Sequence, residues 1–224
     1  MEQQTSNEVA RSYNEVYQQD DYFGYRHWLY LPYVRALISF LGLRKGTTVL
    51  DAGCGQGLFT HLFAKEGMSV VGVDVSEVGI ARAVHNYPEL EGRLVVADLN
   101  RPAGLPTVAC VFLRCCSVYD VPGMAGTAST TRGLLDLLQP GGVLIFATSS
   151  NLTRTGKTWM SHDFADVRKH FDALGIAYEL YFINKIDTYL LGRFAFNRVF
   201  TAMNRLVCKL TGLSGDIIVI ARPS

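Results

Sequence analysis

Apolar runs of strand length alternate along this chain with apolar stripes at helical spacing. The runs are Thr47–Leu50, Ser69–Asp74, Leu94–Asp98, Val108–Leu113, Val143–Thr148, Ala177–Ile183 and Asp216–Ala221. The fourth is apolar throughout, as a strand covered on both faces must be. The sixth instead alternates, with Tyr178, Leu180 and Phe182 on one face. Between the runs lie the stripes. Val34, Leu37, Ile38 and Leu41 follow Pro32 and stop at Gly42. Leu58, Phe59, Leu62 and Phe63 end at Gly67, and Ile80, Ala81 and Val84 follow a capping Ser76. Leu134, Leu135, Leu137 and Leu138 precede Gln139-Pro140-Gly141-Gly142. Phe164, Val167, Phe171 and Leu174 follow Ser161 and close at Gly175. Strands alternating with helices over most of the chain predict an α/β fold, a seven-stranded sheet with helices on both faces.

Two segments lie outside this rhythm. Residues 1–44 begin polar and then crowd aromatics: Tyr13, Tyr17, Tyr22, Phe23, Tyr25, Trp28, Tyr30 and Tyr33. The Tyr13–Tyr17 spacing is helical, so the segment reads as a helical cap. Residues 184–214, between the last two strands, carry Leu190, Leu191, Phe194, Phe196, Val199, Phe200, Met203, Leu206, Val207 and Leu210. From Leu190 to Leu210 the charges are Arg193, Arg198, Arg205 and Lys209, with no acid. A basic, aromatic-rich helix suits a lid or an oligomer contact first, core packing second and a membrane surface third.

The chemistry gathers at Val49-Leu50-Asp51-Ala52-Gly53-Cys54-Gly55-Gln56-Gly57-Leu58. A strand ends in an acid, three glycines follow at alternate positions, and a helix begins. Such a turn lets ligand atoms come down onto the backbone. The dinucleotide pattern G-x-G-x-x-G needs its third glycine one place later, where Leu58 stands. Asp51 would also repel a pyrophosphate. It suits a ligand bearing an ammonium and a sulfonium, as S-adenosylmethionine does. Two further strands end in acids, at Asp74 and Asp98.

Asp51, Gly53, Gly55 and Gly57 match acid-x-Gly-x-Gly-x-Gly, and the stretch resembles the first motif of the class I S-adenosylmethionine-dependent methyltransferases. The resemblance covers residues 45–150 well. It implies one methyltransferase domain over 1–224: a lid at 1–44, a cofactor-binding core at 45–150, a helical insertion at 184–214 and a last strand lying antiparallel. It implies that Asp74 takes the ribose hydroxyls and that Asp98 and the Leu99 amide take the adenine. Tyr17 or Tyr22 would reach the methionine end, and Cys54, Val75, Arg114 and Cys115 would line the cofactor. Tyr25, Arg26 and Tyr119 are candidate substrate contacts, and His27 and Asp120 are candidate bases. The loop Arg114–Asp120 would line the methyl-transfer end. It lacks the Asn/Asp-Pro-Pro-Tyr/Phe of nucleobase and glutamine N-methyltransferases. Asp120 has no acidic partner in sequence, so no metal is expected.

Composition narrows the partners. A net charge of +1 gives no pull toward nucleic acid, and 49% hydrophobic residues describe a globular chain. Five cysteines without Cys-x-x-Cys spacing support neither a zinc site nor a disulfide framework, and free thiols fit the cytoplasm. Glu2 and Glu8, with no apolar segment between, argue against a signal peptide, and no apolar run reaches spanning length. The expected reaction is methyl transfer to an O, N, S or C of a small, partly aromatic or apolar acceptor, leaving S-adenosylhomocysteine. The expected assembly is a monomer or homodimer. Two rivals remain: a regulatory protein that binds the cofactor without turnover, and an NAD(P)-dependent reductase. The reductase draws on Tyr181-x-x-x-Lys185. That pair needs a helix, and it falls in a strand pattern.

Overall fold

A computed structural model describes residues 6–18, 26–150, 162–212 and 215–223. The strands are β1 (Thr48–Ala52), β2 (Ser69–Asp74), β3 (Leu94–Val96), β4 (Val108–Arg114), β5 (Leu138–Ser149), β6 (Ala177–Ile183) and β7 (Asp216–Arg222). The helices are α1 (Ser6–Val16), α2 (His27–Leu41), α3 (Leu58–Lys65), α4 (Glu77–Asn86), α5 (Ala128–Leu135), α6 (Phe164–Leu174), α7 (Lys185–Leu191) and α8 (Arg198–Thr211).

The strands form one sheet in the order β3-β2-β1-β4-β5-β7-β6. β1 to β5 run parallel, and β7 lies antiparallel between β5 and β6. The expected seven-stranded, mostly parallel sheet is therefore the observed one. Strand order reverses between β1 and β4, which opens a crevice at their carboxyl ends.

Alternate residues of each strand feed two cores. Val49, Phe112, Ile145 and Ile218 pack with α2 and α3 on one face. Leu50, Val111, Leu144 and Val219 pack with α5 and α6 on the other. That pleat alternation is why the strands read as unbroken apolar runs.

Several boundaries differ from the sequence reading. Pro32 lies inside α2, which starts earlier, at His27. The proline is the sixth residue, past the first turn, so it removes one i→i−4 bond from inside the helix. Leu138 is not helical; it starts β5, and Gln139–Gly142 run within that strand across a register shift against β4. β3 stops at Val96, leaving Asp98 in the following turn. Ser76 caps α4 by accepting from the Gly79 amide at 2.9 Å. The expected cap Ser161 lies outside the described residues; Asp163 accepts from Asp166 N and caps α6.

Candidate functional site

The glycine turn sits at the carboxyl end of β1, beside the reversal of strand order. Gly53, Gly55 and Gly57 have φ of 80°, 51° and 81°, a region that costs any side-chain-bearing residue. Gly57 caps α3 in that conformation. Space enforces the same choice. A Cβ on Gly53 would lie 2.9 Å from Cys116 Sγ, and one on Gly57 would lie 2.7 Å from the Ala83 Cβ. The turn is anchored from below, where the Gly53 and Cys54 amides donate to the Val73 carbonyl at 2.8 and 2.9 Å.

Two carboxylates flank the turn. Asp51 is 2% exposed, and Thr60, one turn into α3, donates to its Oδ2 at 2.6 Å. Burial lifts the Asp51 pKa to about 7, against the pull of Thr60, and Asp74 raises it further. Asp74, at the end of β2, accepts from Gly55 N at 2.8 Å and from Ser76 N at 2.9 Å. Burial raises its pKa too, and those amides oppose the rise. The result is a pair of buried acids around a backbone turn, an arrangement that attracts a cationic, hydroxyl-bearing ligand and repels an anionic one. Asp98 lies past β3, where its Oδ1 accepts from Asn100 N at 2.9 Å. Val75 follows Asp74 and is partly buried, and Leu99 is buried.

Helix α1 lies across this turn. Asn14 accepts from Ser76 Oγ at 2.6 Å and from Val78 N at 3.3 Å, so it rides on the start of α4. Tyr17 is buried on glycine: Cβ atoms on Gly55 and Gly79 would lie 2.7 Å and 2.9 Å from its ring or hydroxyl. Tyr13 packs on Tyr17 at 5.5 Å between centroids and hydrogen-bonds Ser117 in the loop after β4. Burial raises the Tyr13 pKa, and Asp120 and Asp74 add to the rise.

The methyltransferase-domain family matches residues 25–179, more than half of the chain. The chain belongs to the methyltransferase-domain family. Two curated relatives match its core. One is the 2-methyl-6-phytyl-1,4-hydroquinone methyltransferase of Synechocystis sp., 33% identical over 125 residues, or 52% of this chain and 37% of the relative. The other is the ubiquinone biosynthesis O-methyltransferase of Azoarcus sp., 32% identical over 123 residues, or 51% and 48%. The match thus spans less than half the length of either relative. A solved structure, the magnesium protoporphyrin IX methyltransferase of Synechocystis with bound S-adenosylmethionine, covers 99% of this chain and 98% of its own. It has a TM-score of 0.65 at 18% identity.

In this methyltransferase-domain protein the other candidate residues scatter. His27 starts α2 on the outside of the fold, where its Nε2 meets Tyr87 Oη at 3.0 Å and its ring packs on His61. Arg26 is exposed at the amino end of α2. Asp120 is partly buried near Tyr13. Tyr119 turns inward: its hydroxyl meets Thr131 Oγ1 at 2.9 Å and its ring packs on Phe146, so it offers a substrate no surface. Arg114 spends its charge on Asp216, with Nη2 donating at 2.9 Å, while its guanidinium lies over Tyr30 and Phe59. Cys115 is exposed with φ of 50°, and Cys54 is a buried thiol under the turn. Tyr22 and Tyr25 lie outside the described residues.

The sequence reading missed Asn14, Thr60 and the Arg114–Asp216 pair, and took Tyr13 only as part of the helical cap. Thr60 had a signal, since it stands one turn into the helix that the glycine turn opens. Asp216 had one as well, because the first residue of an antiparallel β7 falls at the same sheet edge as the last residue of β4. Asn14 had none, since nothing in the pattern says which helix face docks on α4.

Proposed function

We propose that this protein is an S-adenosylmethionine-dependent methyltransferase acting on a small, lipophilic, aromatic acceptor, with S-adenosylhomocysteine as product. The observation that carries the reading is Asp51, a carboxylate sealed beside the glycine turn with its pKa lifted to about 7. A cationic ligand is what returns the full charge to such a group. The family match and the two quinone-directed relatives support the same reading and suggest the acceptor class.

The roles follow from the chemistry of each position. Asp51 binds the ligand's ammonium. The bare backbone of Gly53–Gly57 admits the ligand, and the Asp74 carboxylate accepts from the ribose hydroxyls. Asp98 and the Leu99 amide hold the adenine. Tyr13 and Tyr17 on α1 cover the turn and exclude water. When bound, S-adenosylmethionine supplies an activated methyl group, so the protein's task is to align and dehydrate the two reactants. A phenolic acceptor must shed its proton. Asp120, close to Tyr13 on the methyl-transfer side, is the better-placed base. His27 is bonded to Tyr87 outside the α3–α4 pair, which favours a packing role.

The reductase reading loses its remaining support. Tyr181 lies in β6 and donates to Glu179 Oε2 at 2.7 Å, whereas Lys185 starts α7, over Tyr30 and near Asp216. The two share no helix. The test is transfer of labelled methyl from S-adenosylmethionine to a panel of prenylated and unprenylated hydroquinones. Labelled product is expected with lipophilic phenols and its yield should drop in Asp120→Asn. No transfer to any phenol by cofactor-loaded protein would refute the acceptor class.

A further inference from the structure

We propose that the outward face of α8, with α7 beside it, docks on an anionic lipid surface. The proposal stands apart from methyl transfer, since its test requires no turnover. Its basis is a helix turned inside out. The side of α8 that packs on the protein is largely polar: its buried residues are Thr201 and Asn204, with Cys208 the one apolar contact to the core. Thr201 Oγ1 accepts from Phe182 N at 3.2 Å, and Asn204 Nδ2 donates to Phe182 O at 3.4 Å and to Asp187 Oδ2 at 2.6 Å. These side chains satisfy backbone groups on the open side of β6, the edge strand of the sheet.

The apolar side of α8 therefore faces out. Val199, Met203, Leu206 and Leu210 recur at helical spacing on that side, and Val199 and Leu210 are 75% and 78% exposed. α7, tied to α8 through the Asn204–Asp187 bond, and the turn after it also expose Ile186, Tyr189, Leu190 and Phe194. A contiguous apolar helix face of this kind marks an interaction site.

Charge selects the occupant. From Thr188 to Gly215 the chain has no acid, and it carries Arg193, Arg198, Arg205 and Lys209. Arg198 and Lys209 line one flank of α8, beside the apolar stripe, while Arg205 lies half-buried with its guanidinium 4.0 Å over the Phe164 ring. A second copy of the same face would oppose cations to cations. An anionic bilayer meets both features, taking the leucines into its boundary and the basic flank against its headgroups. Among the described residues no helix is long and apolar enough to cross a membrane, so the contact is at the surface. The sequence reading put this partner last; the inverted helix moves it first.

The test is co-sedimentation of the whole chain with phosphatidylcholine vesicles, with and without phosphatidylglycerol. Binding is expected to the anionic vesicles and to weaken with salt. Leu206→Glu/Leu210→Glu should cut partitioning at least about a hundredfold, and Arg193→Gln/Lys209→Gln should cut it by about fivefold per cation. Melting temperature and S-adenosylmethionine affinity should hold in both variants, which separates lost docking from lost folding or a lost cofactor site. Three results would overturn the proposal: no binding to either vesicle, equal binding to both, or a dimer in solution that the leucine substitutions dissolve.

Discussion

Replacing Asp51 by Asn removes a charge that burial has already made costly, and the effect can be worked from its pKa of about 7. A ligand ammonium needs the charged carboxylate, so binding releases a proton wherever Asp51 is protonated beforehand. If the protonated form does not bind, the S-adenosylmethionine Kd falls about 25-fold from pH 5.5 to pH 7.5, or about 2 kcal/mol. That window stays below most of the titration of the ligand's own amine. In Asp51→Asn the profile should be flat and Kd should stay near the acid limit. Calorimetry in two buffers of different ionisation enthalpy reads both the affinity and the released proton. Stability of the unliganded protein should show the opposite trend. The folded pKa lies above the unfolded value, so this group's contribution is complete below about pH 4 and is lost as pH rises through about 7. From pH 5 to pH 8 the loss is about 3 kcal/mol, absent in Asp51→Asn. A wild-type Kd independent of pH, or an unchanged slope in Asp51→Asn, would refute the assignment of Asp51 to a cationic group.

Gly55→Ala puts a Cβ 2.7 Å from the Tyr17 hydroxyl at φ of 51°; the backbone alone costs about 1–2 kcal/mol, and S-adenosylmethionine affinity should fall at least about tenfold by titration. Asn14→Ala deprives Ser76 Oγ and Val78 N of their acceptor; amide exchange in α1 should rise about tenfold while that of the sheet stays put. Asn204→Ala leaves the Phe182 carbonyl and Asp187 short of a donor in a buried site; the melting temperature should drop by about 6 °C, for a cost of about 2 kcal/mol.

The sheet was legible because both its faces are covered. A strand such as Val108–Leu113 needs apolar residues on both sides of the pleat, and that leaves an unbroken run. The acids at strand ends were legible for a related reason, since Asp51 and Asp74 interrupt apolar segments that nothing else interrupts. Side-chain direction was harder to read. Gly79 and Ala83, rather than Ile80, Ala81 and Val84, are the buried positions of α4, because Gly79 lies under the Tyr17 ring of α1 and Ala83 against Gly57 of the glycine turn. Tyr119 looked like a loop residue and is core, because the turn after β4 folds it back onto Phe146 and Thr131. On α8 the composition gave the amphipathic stripe but not its direction. That depended on two backbone groups of β6 needing partners, which a linear pattern does not record.

Every role proposed for the site rests on the turn from Gly53 to Gly57 taking a cationic nucleoside cofactor beside Asp51. Titrating the purified protein with S-adenosylmethionine, S-adenosylhomocysteine and NADPH by calorimetry tests it most directly. Saturable binding of the first two at the same single site is expected, with no heat from NADPH beyond dilution. Binding of NADPH without S-adenosylmethionine would contradict it, since the buried carboxylates that define the site would then be facing a pyrophosphate.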